Sequence, residues 1–296
     1  MKNTRTIMTS AALLLAALFT ASVFSLKKVE ALRGKEATLE EVLYLPSAKT
    51  LKRMSLGYTG LLADVYWTRA VQYFGSKHIQ HATRYDLLYP LLNITTDLDP
   101  QLIAAYQDGS IFLSQQPPWG AGQPDKAVAL LEKGVRNNPQ YWRLYFTLGF
   151  VHYLDRHDFK AAQKAFETGA DVPGALPWMR VMAAKMAENA DDIGTAINLW
   201  QGVYQTTQDK MVRENAVKHI DSLRADVDIR ELDRRVLFYR QKTGALPASW
   251  SDLIRAGLLR GTPLDPSGAP YKLRPDGSVW VQDPDAFPYV GQFGEK

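Results

Sequence analysis

Cysteine is absent from the 296 residues. That excludes disulfides, thiol nucleophiles and cysteine-ligated zinc, and leaves the compartment open, because a disulfide-free protein can sit on either side of a membrane. Histidine is scarce: His78, His81, His152, His157 and His219 are the five. Of these, His78 and His81 are three apart but near a helix break and lack an acid at ligand spacing, so no metal site is assigned to them. The patterns H-E-x-x-H, G-x-S-x-G, P-loop and G-x-G-x-x-G are missing, which leaves an enzyme without a recognisable reaction site. Charge is not concentrated either. The net charge is +4 and the Lys and Arg are spread along the chain, so no basic stripe points to nucleic acid.

What is present is apolar and helical. Hydrophobic residues make up 46% of the chain, enough for a sizeable core. After Lys2 and Arg5, the stretch Thr6 to Leu26 carries no charge and is closed by Lys27 and Lys28. About 20 such residues span a hydrocarbon core, so residues 1–28 are expected to form an N-terminal transmembrane anchor. A cleaved signal peptide is the alternative; Val29 to Ala31 ("VEA") is polar and late for its cleavage site. The flanking charges conflict on orientation. Lys27, Lys28, Arg33 and Lys35 outnumber Lys2 and Arg5, while a short basic tail before a first span stays inside. The expectation adopted is a single-pass protein of a bacterial inner membrane with its bulk in the periplasm.

Residues 29–56 are expected to be a charged linker with at most a short helix. From Gly57 to Thr243 the chain is expected to be helix after helix, broken at Gln115–Pro124, Leu154–Asp158, Asp171–Pro177, Asn189–Asp192 and Thr206–Asp209. In the first helix Ala63, Trp67, Ala70 and Phe74 form an apolar stripe at helical spacing. A period follows. Ala127, Leu131, Gly134 and Pro139 are matched by Ala162, Phe166, Gly169 and Pro173, then by Ala196, Trp200 and Val203, with the alanines 35 and 34 residues apart. Small residues at that interval let two helices approach closely while a large neighbour fills the space beside them.

With Tyr145, Leu148, Gly149 and His152 on the preceding helix, this pattern resembles the tetratricopeptide-repeat family. The units depart from it in places: Pro117–Gly122 inserts a loop after Gly109, Ala184 replaces a glycine and Gln208 a terminal proline. The resemblance implies an all-α fold, an α-solenoid of antiparallel helix pairs over 57–243. Gly60–Gly75 with Tyr85–Pro100 would be a degenerate first unit, and Lys210–Arg224 with Ile229–Thr243 a last pair. It also implies a partner-binding concave face of first-helix positions: Ile103, Tyr106 and Ser110 in one unit, Arg143, Phe146, Phe150 and Tyr153 in the next, Trp178, Val181 and Lys185 in the third. A face so composed would take a protein or peptide segment with apolar anchors and an acidic group.

Residues 244–296 change character. Ser249 is a helix N-cap candidate, and "PDGS" at 275–278 a hairpin turn. Gly244, Pro247, Leu253, Asp265, Pro266, Gly268, Pro270 and Tyr271 make the segment similar to the C-terminal part of type II secretion pseudopilins, although the pilin methylation motif is missing. A small irregular or hairpin cap is expected. Asp276, Asp283 and Asp285 could offer oxygen ligands to a cation such as calcium, but acids in a proline-rich tail are more simply solvated, and no metal or cofactor is assigned. Two functions are expected as alternatives: a membrane-anchored scaffold for protein partners, or a fixed structural subunit of a secretion, pilus or transporter complex.

Overall fold

The computed structural model describes residues 18–20, 22–25 and 45–292. The run Thr6–Leu26 therefore lies largely outside the described residues, among which no helix is long and apolar enough to cross a membrane. The linker expected at 29–56 is described only from residue 45, and it contains a helix, α1 (Ala48–Met54), capped by the Ser47 hydroxyl and anchored by buried Leu51.

From there the described chain is mostly helical, as expected for an all-α fold. The helices are α2 (Thr59–Ile79), α3 (Leu88–Leu98), α4 (Ile103–Ser114), α5 (Pro124–Asn137), α6 (Trp142–Phe150), α7 (Phe159–Ala170), α8 (Trp178–Asn189), α9 (Ile193–Thr206), α10 (Lys210–Thr243) and α11 (Trp250–Arg255). A π-helical turn, Val151–Asp155, extends α6. The expected breaks fall between helices and several are fixed by caps: the carboxylates of Asp158, Asp192 and Asp209 accept backbone N–H groups in the first turns of α7, α9 and α10.

Helices pack in chain order, α2 on α3, α4 on α5, α6 on α7, α7 on α8, α8 on α9 and α9 on α10. The small residues explain how closely. Ala127, Ala162 and Ala196 are fully buried. A Cβ on Gly149 of α6 would lie 2.7 Å from the ring of Phe166 on α7, and one on Gly169 would lie 2.5 Å from Tyr145 Cβ. Such separations are below van der Waals contact, so any larger residue would push the helices apart. In α2, Ala63 and Ala70 are fully buried, while half-buried Trp67 and Phe74 stack on Phe112 of α4, with centroids 6.3 and 4.1 Å away.

One expected boundary is wrong. The last pair of helices is a single helix, α10, 34 residues long, or about 51 Å at 1.5 Å per residue. The residues between the expected halves, Ala225–Asp228, include neither Gly nor Pro, and Ala225 and Asp226 are buried; nothing breaks the backbone and packing holds it straight through. The N-terminal half of α10 closes a core with α8 and α9 through Ala216, Ile220 and Leu223. Its C-terminal half, through Ile229, Leu232 and Val236, carries the C-terminal segment.

That segment folds as expected in outline. Gly244 ends α10 in the left-handed conformation, φ 76°. Asp252 accepts the Ser249 N–H at 3.0 Å to start α11, and β1 (Lys272–Leu273) pairs antiparallel with β2 (Val279–Trp280) around the predicted turn. The signature residues have local structural tasks. Asp265 accepts the N–H groups of Ser267 and Ala269, and buried Tyr271 donates its hydroxyl to Asp228 of α10 at 3.0 Å.

Candidate functional site

The expected first-helix face is divided by the structure. Tyr106 and Ser110 are fully buried: Gly134 of α5 presses on the Tyr106 ring, whose hydroxyl accepts from Asn137 at 3.1 Å. Their close approach makes them part of the α4–α5 seam rather than a surface. Ile103 packs against the same core. Lys185 is drawn inward too, its Nζ 2.8 Å from the buried carboxylate of Glu188.

Of the remaining positions, Phe146, Phe150 and Trp178 come together. On α6, Phe146 and Phe150 lie 4.9 Å apart between ring centroids. Trp178, at the start of α8, meets Phe146 edge-on at 5.3 Å and Phe150 at 6.3 Å. Trp142 closes the cluster against Phe146 at 6.0 Å, and the guanidinium of exposed Arg143 lies 4.7 Å from the Trp142 ring centre. Trp142, Phe146 and Phe150 are half-buried against the core of Phe166, Met179 and Met186, and Phe150 meets the Phe166 ring edge-on. Trp178 keeps 38% of its surface exposed. Tyr153 stands further along, against Phe159.

Beside this cluster opens a cleft of about 660 Å³, lined by Trp178 and Val181 of α8, by Val203 and Thr206 of α9, and by Asp209 and Val212 at the start of α10. Its walls are chiefly apolar. The charges at its edge are committed: Arg180 pairs with Asp171 at 2.9 Å, and Asp209 caps α10 by accepting the Met211 and Val212 N–H groups. A concave, chiefly apolar cleft of this kind can receive an apolar side chain or a helix face. Trp142 and the α9–α10 wall were missed by sequence reasoning. Repeat registers place residues along one helix, whereas the cleft is made where a loop turns between two.

The other candidates separate. Asp276 Oδ1 accepts the N–H and hydroxyl of Ser278 inside the hairpin turn, while Asp283 accepts the Asp285 N–H at the 3-10 turn Pro284–Ala286. Local turn bonding thus uses these carboxylates, and no group of three His, Cys, Asp or Glu residues that could hold a metal ion occurs among the described residues. The histidines are dispersed. His78 meets the Pro118 carbonyl at 2.9 Å, and burial holds the His152 imidazole below its ordinary pKa.

A second feature was not anticipated. Glu188, buried on α8, receives the indole N–H of Trp200 at 2.6 Å and the ammonium of Lys185 at 2.8 Å, and its Oε1 is 2.7 Å from His219 Nδ1. That last contact is close but does not have hydrogen-bond geometry. The His219 ring lies between Trp200 and Tyr289, at 4.0 and 3.7 Å. Tyr289 comes from the end of the chain and donates its hydroxyl to Asn215 of α10 at 2.7 Å. Nearby, the Gly291 N–H donates to buried Asp226 at 2.8 Å. Burial pushes the Asp226 carboxyl up to about 6, against the lowering effect of that N–H and of Arg230. The sequence signal was Glu188 itself, four residues after fully buried Ala184 and so on the inner face of α8.

No family model matches the chain, and no curated protein matches it.

Proposed function

We propose that the protein is a membrane-anchored, tetratricopeptide-like helical-repeat scaffold that holds a partner segment on the Phe146–Phe150–Trp178 face. The observation that carries this is a half-buried aromatic cluster whose exposed edge is Trp178, with Arg143 at its rim, continuous through Trp178 with the apolar cleft. Aromatic and Arg residues dominate binding hot spots because they desolvate large areas and still offer directional or cationic contacts. A segment with one or two apolar anchors would seat on Phe146 and in the cleft, and an acidic group on it would meet Arg143. The sequential packing of helices and the close seams at Gly149 and Gly169 support the repeat reading. The uncharged run Thr6–Leu26 supports the anchor.

The alternative is a fixed subunit of an envelope complex. Leu237 and Phe238, each 53% exposed on α10, favour it, since adjacent large apolar side chains in water suit a permanent neighbour. Recovery of partners from membranes by wild type, Phe150→Ala and Arg143→Glu distinguishes the two. The scaffold predicts loss with both variants, and competition by a peptide with apolar anchors and an acid. If both variants are folded and recover every partner at the wild-type level, the scaffold reading is wrong.

A further inference from the structure

The junction of α1 and α2 breaks the pattern of the rest of the molecule. Met54, Leu56, Tyr58, Leu61 and Val65 follow one another at 69, 87, 71, 65 and 48% exposure. Single exposed apolar residues are ordinary; five of large size within twelve positions are not. Leu61 and Val65 are one turn apart, so they share a face of α2. Leu56 is also held at φ 49°, a conformation costly for a bulky side chain. Packing does not repay that conformation, because the side chain points into solvent. Just before it, Lys49, Lys52 and Arg53 are exposed on α1 and line a shallow depression of about 430 Å³ whose one acid, Asp97, is already paired with Lys133 at 2.6 Å.

We infer that this edge is a membrane-facing surface: Leu56, Tyr58 and their apolar neighbours enter the interfacial layer of a bilayer, and Lys49, Lys52 and Arg53 meet anionic headgroups. The inference rests on the anchored reading of the chain. Exposed apolar groups beside a basic cluster are the composition that interfacial binding needs, because acyl chains accept the first and headgroup charge attracts the second. The chain itself supplies proximity. The apolar run ends at Leu26, and 21 residues join it to the start of α1, a number that reaches at most about 75 Å. Of all described elements, α1 is the first after that tether.

The absence of cysteine gives a direct test with the full chain. An environment-sensitive fluorophore is attached to Leu56→Cys, and separately to Met211→Cys, which is 78% exposed on α10. Each protein is reconstituted in phosphatidylcholine vesicles with and without phosphatidylglycerol, using brominated acyl chains as quencher. Flotation after alkaline washing reports the anchor; quenching reports the edge. The expected result is several-fold stronger quenching at 56 than at 211, reduced without phosphatidylglycerol and in a Lys49→Glu, Lys52→Glu, Arg53→Glu variant. Equal quenching at the two positions in protein that floats overturns the edge and spares the anchor. Loss of flotation overturns the anchor. A probe at 56 that is shielded from aqueous iodide but not quenched by bromolipid shows cover by protein, either a second copy or residues 27–44, and overturns the inference. Quenching at 56 that ignores both phosphatidylglycerol and the charge reversal overturns the headgroup role.

Discussion

Glu188 and His219 stand 2.7 Å apart in a site where both side chains are almost wholly buried. They join α8 to α10, and Trp200 and Lys185 complete the partners of the carboxylate. Removing the buried carboxylate leaves the Trp200 indole N–H without its acceptor in a site closed to water. Glu188→Ala is therefore expected to cost about 3 kcal/mol or more, and Glu188→Gln less, since an amide oxygen still accepts the indole N–H. Chemical denaturation of the two variants checks this; equal, small losses would show the site to be well hydrated.

The same network latches the end of the chain. Tyr289→Ala removes the ring stacked on His219 and the bond to Asn215, at an expected cost of about 1 to 3 kcal/mol. Hydrogen exchange should then rise at residues 287–292 and on the Asn215–Ser222 stretch of α10, with α2 to α6 unchanged. Uniform acceleration along the chain would show that the tail is not a local latch.

Asp226 makes the latch pH-dependent. Its carboxyl titrates near 3.8 when unperturbed and near 6 in the fold. A raised acid favours the protonated form, so its contribution is fully present below about pH 4 and is lost as pH rises through about 6. Asp226→Asn keeps an acceptor for the Gly291 N–H and removes the charge. It should match wild type near pH 4 and be the more stable at pH 8, by up to about 3 kcal/mol at 1.36 kcal/mol per pKa unit. Melting curves at the two pH values measure the sign directly, and a variant destabilised at pH 8 would reverse it.

The helix seams give a packing test. Ala162 and Ala196 are fully buried and Ala286 is exposed. Leucine at either buried position should cost about 1 to 3 kcal/mol, whereas Ala286→Leu should leave the thermal midpoint unchanged. Unchanged midpoints for both helix variants would remove the close-seam account.

The seams were legible because they are local: Ala127, Ala162 and Ala196 recur at one interval, and the breaks that end at Asp158, Asp192 and Asp209 lie just before helix starts. Gly244 and the "PDGS" turn were legible for the same reason, since left-handed backbone and tight turns limit the residues that fit. The contact of Tyr289 with His219 was not. It joins positions 70 residues apart, and no periodicity encodes which aromatic of a tail meets which helix. Of the first-helix positions that the repeat resemblance implies, Phe146, Phe150 and Trp178 do lie together. Tyr106 was misplaced because register gives the side of a helix and not whether a neighbour, here Gly134, already covers it.

The central claim is that the Trp178 edge receives a partner, and site-specific photo-crosslinking tests it most directly. A photoreactive phenylalanine analogue replaces Trp178 in one protein and Met211, on the far more exposed start of α10, in another, each in its native membrane. The account predicts one dominant crosslinked species from position 178, suppressed when Arg143→Glu is added, and none of that species from 211. No crosslink at 178, or the same products from both positions, would contradict it.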